Sequence, residues 1–85
     1  TSIDIEKLKA AIFKSKGLIG IHDLHIWPIS TTETALSVHL VVSPKFFKDS
    51  FSRDIEKRIK TKFSISHVTI QMELQNMEQN CETNC

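Results

Sequence analysis

The stretch Ala35–Val42, ALSVHLVV, alternates between one set of apolar side chains and a second set that includes Ser37 and His39. A period of two residues is typical of a β-strand with one buried face, because successive side chains of a strand point to opposite sides. The stretch His67–Leu74, HVTIQMEL, repeats the pattern with a polar residue at every second position. The two stretches therefore predict strands of a sheet with one apolar and one polar face.

Two helices are predicted around these strands. The first begins after Asp4, a favourable N-cap residue, and ends near Lys16, where Gly17 can adopt the left-handed conformation that stops a helix. Its apolar face comprises Ile5, Leu8, Ala11 and Ile12. The second helix is predicted from Asp49 to Lys62, with apolar residues at every fourth position. These residues are Phe51, Ile55, Ile59 and Phe63.

A further strand is predicted over Ile21–Ile29, closed by Pro28 and a Ser-Thr-Thr turn. The element order is then α-β-β-α-β. This order predicts the α+β class and a ferredoxin-like fold, with a three-stranded mixed sheet and two helices on one of its faces. The other face is left open and polar, which suits a partner or a ligand.

Composition limits the classes of function. The chain has 85 residues, of which 40% are apolar and 25% charged, so one globular domain is expected. A net charge of +1 offers no strong field for nucleic acid, and no stretch is long enough to span a bilayer. The chain begins at Thr1 without a signal-like segment, and we expect it to be part of a longer protein.

We divide the chain into a domain of residues 1–74 and a flexible polar tail of residues 75–85. The tail contains both cysteines, Cys81 and Cys85, spaced C-x3-C. A disulfide there would close a very small loop, so free thiols or metal ligands, and a cytosolic setting, are favoured. The chain has no glycine-rich phosphate loop and no G-x-S-x-G motif, and we expect no enzymatic activity.

The open face is predicted to carry several side chains of the types that serve as zinc ligands. The strand pattern places His39 on this face from one strand, and His67 and Glu73 from another. Adjacent strands lie about 5 Å apart, so such side chains can share one ion if their strands are neighbours. A hydrogen-bonded surface histidine or a solvated glutamate is the competing interpretation for each residue taken alone.

The first strand leaves two histidines open as candidates. With Leu24 and Ile26 turned to the core, simple alternation places His25 on the open face and His22 on the helix face. A bulge at the strand entry would re-aim His22 instead.

Three segments resemble one known family: GIHDLHIWPIS at 20–30, ALSVHLVV at 35–42 and FSISHVTIQMEL at 63–74. Together with the late cysteines they resemble the C-terminal cytoplasmic domain of the cation diffusion facilitator family, which exports zinc and related divalent cations. The resemblance covers essentially the whole chain. It implies a homodimeric domain on the cytoplasmic side of a membrane, covalently attached to a transmembrane domain.

The resemblance also implies ligands for a regulatory metal. It points to the first histidine of the HDLHIW segment, the histidine of the second strand, the acidic residue after TIQ-x and the late cysteines. With His67, which the strand pattern places on the open face, the candidate metal ligands are His22, His39, Glu73, His67, Cys81 and Cys85. The chain departs from the family at Gln71, where some members have a histidine ligand.

The implied function is regulatory. Zn²⁺, or Co²⁺, Cd²⁺ or Ni²⁺, which the same ligand types accept, would bind at the dimer region, stabilise a compact dimer and regulate export. A purely structural dimerisation module with incidental histidines is the alternative, and it predicts a dimer that is indifferent to zinc. A third interpretation is a regulatory domain that binds a small molecule and is attached to an enzyme.

Overall fold

The computed structural model of the protein describes residues 3–75 and shows the expected order of elements. These are α1 (Ile5–Phe13), β1 (Leu18–Pro28), β2 (Thr34–Val42), a 3-10 turn (Pro44–Phe46), α2 (Asp49–Phe63) and β3 (His67–Leu74). The strands form one sheet in the order β1-β2-β3, with β1 antiparallel and β3 parallel to β2. The predicted α-β-β-α-β fold with a mixed sheet is confirmed. Neither helix in this part of the chain has the length and apolar character needed to cross a membrane.

The connections follow from strand direction. The antiparallel strands β1 and β2 are joined by a short turn, in which the Ile29 N–H donates to the Glu33 carbonyl at 2.8 Å. The Ser30 hydroxyl oxygen accepts from the N–H groups of Thr32 and Glu33 and tightens the same turn. The parallel strands β2 and β3 cannot be joined by a tight turn, so α2 forms the crossover between them.

The core lies between the sheet and the two helices. Leu36, Val38, Leu40 and Val42 are at most 1% exposed and supply its sheet side. The helices contribute Leu8 and Ile12 from α1, and Phe51, Ile55 and Ile59 from α2. Both helices therefore cover the same face of the sheet, as predicted. The opposite face of β2 is covered by neither α1 nor α2.

The first helix is shorter than predicted. Asp4 is its N-cap as expected, with the carboxylate accepting from the N–H groups of Glu6 and Lys7. The helix ends at Phe13, before the positive φ of 100° at Gly17. The chain between them forms a turn instead of a last helical turn.

Ile5 is not a core residue, in contrast to the expectation from helical periodicity. It is 39% exposed and lines a shallow surface cavity with Ile26 and Trp27 of β1. The remainder of the apolar face of α1 packs into the core, so this end of the helix lies over the edge of the sheet.

Strand β1 starts at Leu18, three residues earlier than predicted. Leu18 pairs with Val42, and the Ser43 N–H donates to the Gly17 carbonyl at 3.0 Å. This pairing extends β1 along the full length of β2 and converts the expected connection at residues 18–20 into strand.

We expect Gly17→Ala to destabilise the domain by more than about 1 kcal/mol, because Gly17 combines a positive φ with a close neighbour. A Cβ at Gly17 would lie 2.3–2.8 Å from three side-chain atoms of Phe46. Gly20→Ala is the matched control, since its nearest neighbours are Val41 side-chain atoms at 4.0 Å. Urea unfolding measures both free energies. Equal values for the two variants would contradict the structural role of Gly17.

Candidate metal-binding site

A β-bulge in β1 decides which of its side chains face the open side of the sheet. His22 lies opposite His39 of β2, and His25 lies opposite Ser37, so that the strands shift register between the two histidines. Directly opposed residues of antiparallel strands have their side chains on the same face. Both histidines therefore lie on the face of His39. The expectation from alternation that His22 faces the helices is wrong, because the extra residue in the bulge shifts the alternation by one.

The bulge is built on Asp23, whose φ of 50° lies in the left-handed region. Aspartate tolerates this conformation better than most residues, because its short side chain can hydrogen-bond locally. The Asp23 Oδ2 atom lies 3.6 Å from His39 Nδ1. Sequence reasoning did not include Asp23 among the site residues. The available signal was an aspartate inside a strand-like run, a residue type that is depleted in regular strands and accepted at positive φ.

Glu73 of β3 contacts the same ring nitrogen. Its Oε2 atom lies 2.9 Å from His39 Nδ1, although the strand register places Gln71 beside His39. The glutamate side chain thus reaches across the face diagonally. An ionised carboxylate can only accept a hydrogen bond, so the ring donates through Nδ1 and keeps a lone pair on Nε2 when it is neutral. Nε2 is therefore the ring nitrogen available to a metal ion.

This cluster of Asp23, His39 and Glu73, which we call the open-face cluster, is held loosely. The side chains of Asp23, His39 and Glu73 are 65%, 35% and 45% exposed. Ion pairs at such exposure contribute at most about 1 kcal/mol each. The side chains can therefore change partners at little cost when another charged group arrives.

His67 lies far from the open-face cluster. In the parallel register it is the partner of Ala35, four residues along β2 from His39, and its Nε2 atom lies 3.4 Å from Glu33 Oε1. Four residues of strand span about 13 Å. The expectation that His67 shares one ion with His39 and Glu73 is wrong within a single chain. The alternation of side chains fixes the face of the sheet on which a residue lies, but not its position along the strand.

The remaining candidates, Cys81 and Cys85, lie outside the described residues, and their role as ligands stays a prediction. So does the boundary between a domain of residues 1–74 and a tail of residues 75–85. Within residues 3–75 no three His, Cys, Asp or Glu side chains are already arranged as a metal site. Metal binding would require the open-face cluster to rearrange, and His22, opposite His39 in the strand register, is a candidate for a further ligand.

We expect Asp23→Val to lower the free energy of unfolding by about 1–2 kcal/mol, because a β-branched residue is strained at positive φ. Asp23→Asn should remain close to wild type, since asparagine also accepts this conformation. Urea unfolding of both variants gives the comparison. In NMR spectra, backbone contacts between His22 and His39 across the paired strands should persist in Asp23→Asn. If Asp23→Val were as stable as Asp23→Asn, the bulge would not depend on the left-handed residue.

Comparison with known proteins identifies the family. Residues 1–75 match the family model described as the cytoplasmic domain of cation efflux proteins. The chain is 41% identical over 75 residues to the cadmium, cobalt and zinc/H(+)-K(+) antiporter of Bacillus velezensis, covering 85% of this chain and 24% of that protein. It is 33% identical over 81 residues to the metal cation efflux system protein CzcD of Cupriavidus metallidurans, covering 91% of this chain and 25% of that protein. The chain thus spans about a quarter of the length of these relatives, which are named as transporters rather than enzymes.

Solved structures of similar proteins support the same family assignment. The metal-bound C-terminal domain of the CzcD transporter from Cupriavidus metallidurans superimposes with a TM-score of 0.78 at 32% identity, covering 85% of this chain and 100% of that chain. The putative zinc transporter CzrB gives a TM-score of 0.70 at 19% identity, covering 85% of this chain and 93% of that chain, and supports the fold. The chain therefore belongs to the family of cytoplasmic domains of cation efflux proteins, as the HDLHIW and TIQ-x-E segments indicated.

Proposed function

We propose that the chain is the regulatory metal-binding and dimerisation domain of a divalent-cation efflux transporter, with Zn²⁺ as the ion it binds. The observation that carries the proposal is the open-face cluster, in which two carboxylates converge on His39 while His22 lies opposite on the neighbouring strand. The membership of the family supports the transporter context. Transport itself would belong to a membrane domain to which this chain is attached.

The ligand chemistry fits zinc and its close relatives. Zinc takes imidazole nitrogen and carboxylate oxygen in a four-coordinate shell, and Co²⁺, Cd²⁺ and Ni²⁺ accept similar ligands. His39 offers Nε2, and His22 offers a second imidazole from the adjacent strand. The name of the Bacillus velezensis relative, a cadmium, cobalt and zinc antiporter, supports the same group of ions.

Glu73 has two roles open to it. In the observed arrangement it accepts from His39 Nδ1, and a carboxylate in that position orients the ring toward a metal on the other nitrogen. After rotation it would coordinate the ion directly. Either role, with Asp23 beside it, supplies the negative charge that neutralises a divalent cation, and Cys81 or Cys85 would complete the shell.

What the open face exposes supports dimerisation through it. Trp27, which pairs with Ala35 across the strands, is 45% exposed. Each copy also presents the carboxylates of the open-face cluster, so two faces brought together repel each other until a cation intervenes. A homodimer assembled here would bury the tryptophan and bind metal more tightly than the separate chains do. His67 and Glu33 form a second histidine–carboxylate pair, and ligands from a partner chain would complete a metal site there.

Regulation follows by linkage. Zinc favours the compact dimer only as far as it binds that state more tightly, and about 1.4 kcal/mol of difference shifts the equilibrium tenfold. Rising metal concentration would thereby be converted into a change in the arrangement of two domains, and through the attached membrane domain into a change in export.

A purely structural dimerisation module is the second candidate. It is favoured by the fact that no three ligands within residues 3–75 are already arranged for a metal. Exposed Trp27 alone would then drive association.

The first test is calorimetric titration of zinc into the reduced, metal-free protein. We expect saturable binding, and we expect the His22→Ala, His39→Ala double variant to bind at least tenfold more weakly, because it loses both imidazoles. His25→Ala is the matched control, since His25 lies on the same face opposite Ser37. Unchanged affinity in the double variant would show that the open-face cluster is not the site.

The second test is the effect of zinc on association. Sedimentation velocity with zinc and with EDTA should show a shift from monomer towards dimer, or from a loose towards a compact dimer, that the double variant lacks. Trp27→Ala should weaken the dimer in both conditions. A dimer of identical size and affinity with zinc and with EDTA would favour the purely structural module.

A further inference from the structure

A basic cleft lies at the end of the domain where α1 finishes and α2 begins. It is a cavity of about 430 Å³ whose wall includes four cationic side chains and a single carboxylate. The charged residues are Lys14, Lys16, Lys48, Arg58 and Asp54. The cleft lies on the helix side of the sheet, so it is separate from the open-face cluster.

The positive charge of the basic cleft is not neutralised by the rest of the described chain. Within residues 3–75, Lys14, Lys16 and Lys48 take part in none of the salt bridges. Arg58 donates to the Ala11 carbonyl at 3.0 Å and to the Ser15 hydroxyl at 2.9 Å, which are both uncharged acceptors. The cleft therefore presents a net positive surface that favours an anionic group.

The start of α2 adds to this field. Lys48 is the N-cap residue of the helix and makes no side-chain capping hydrogen bond. The first turn of a 15-residue helix carries partial positive charge at its N–H groups. Asp49 in the same turn offsets part of this charge, so the lysines and Arg58 supply most of the positive field of the cleft.

The chain leaves β3 at the same end of the sheet. The Gln75 N–H donates to the carbonyl of Val42 in β2 at 2.9 Å. Ser43, which follows Val42, donates its N–H to the Gly17 carbonyl at the start of β1 at 3.0 Å. Gly17 directly follows Lys16 of the basic cleft. Gln75, the last residue that the structure describes, therefore lies about two strand spacings, roughly 10 Å, from Gly17 at the edge of the cleft.

The segment that follows has the opposite charge. Residues 76–85, NMEQNCETNC, contain Glu78 and Glu82 and no Lys, Arg or His. Ten residues can extend over as much as about 33 Å, which exceeds the separation to be bridged. Tethering gives the two glutamates a high effective concentration at the cleft.

We propose that residues 76–85 dock into the basic cleft of their own chain as an acidic clasp, with Glu78 and Glu82 paired to its lysines. Docking places Cys81, which lies between the two glutamates, on the helix side of the domain. The cysteines would then have to leave the cleft before they could reach a metal on the open face. Because the ion pairs are exposed, the clasp is weak and sensitive to salt.

The cysteines provide the means of testing this. With Cys85→Ser, a nitroxide attached to Cys81 is the only spin label, and its effect on amide signals reports which surface lies near residue 81. In the metal-free protein with EDTA at low salt, we expect the amide signals of residues 14–16 and 48–51 to lose more than half their intensity. The signals of residues 37–39 and 69–71 on the open face should lose much less. Adding 0.5 M NaCl should restore the signals of residues 14–16 and 48–51.

Charge reversal makes the test specific. Lys14→Glu with Lys16→Glu should abolish the broadening, and adding Glu78→Lys with Glu82→Lys should restore it. Lys57→Glu with Lys62→Glu is the matched control, because it reverses two exposed lysines of α2 that do not line the basic cleft. It should leave the broadening unchanged.

Three outcomes would overturn the proposal. Broadening centred on the open face would place the segment there, and no localised broadening would show that it does not dock. Broadening of ¹⁵N-labelled chains by separate spin-labelled chains without ¹⁵N would assign the contact to a second copy. Since EDTA is present throughout, failure of the clasp leaves the zinc site untested by this experiment, and failure of zinc binding leaves the clasp intact.

Discussion

The packing of one side of β2 against both helices is the constraint on which the rest of the structure depends. β2 is the central strand, and its inward side chains, from Leu36 to Val42, are almost completely buried. Because side chains alternate along a strand, the residues between them must face away from the helices. His39 is presented on the open face for this reason. The position of the open-face cluster is thus a consequence of core packing, and any change that disturbed the register of β2 would move His39 with it.

Residue patterns were sufficient to predict most of the fold. The alternation of His67–Leu74 gave the bounds of β3, and the four-residue spacing of apolar residues gave α2 to within one residue at its end. Such patterns reflect the burial of apolar side chains, which is the dominant favourable contribution to folding. They report which face a residue occupies, but not how far along a strand it lies relative to a neighbouring strand. The expectation that His67 and His39 share one ion within a single chain failed for that reason, since the distance between them depends on strand register.

Residue patterns left the bulge in β1 as one of two alternatives and could not decide between them, for another reason. One extra residue at positive φ exchanges the two faces of the sheet for all side chains on one side of it along the strand. A single aspartate in a strand does not specify that conformation. The consequence for the site was large, because His22 and His25 both came to the open face. The resemblance of the HDLHIW segment to a known family had favoured His22 over simple alternation, and the bulge supplies the physical reason for that preference.

The bulge also has a consequence for how two chains can meet. β1 is an edge strand, and a regular edge of this length would offer its free N–H and C=O groups to a strand of another molecule. The register shifts along β1 interrupt that row, and Pro28 at its end lacks an N–H group altogether. Continuation of the sheet from one molecule into the next is therefore disfavoured on this side. The residue that turns His22 outward thus also makes this edge of the sheet a poor template for a strand of another molecule.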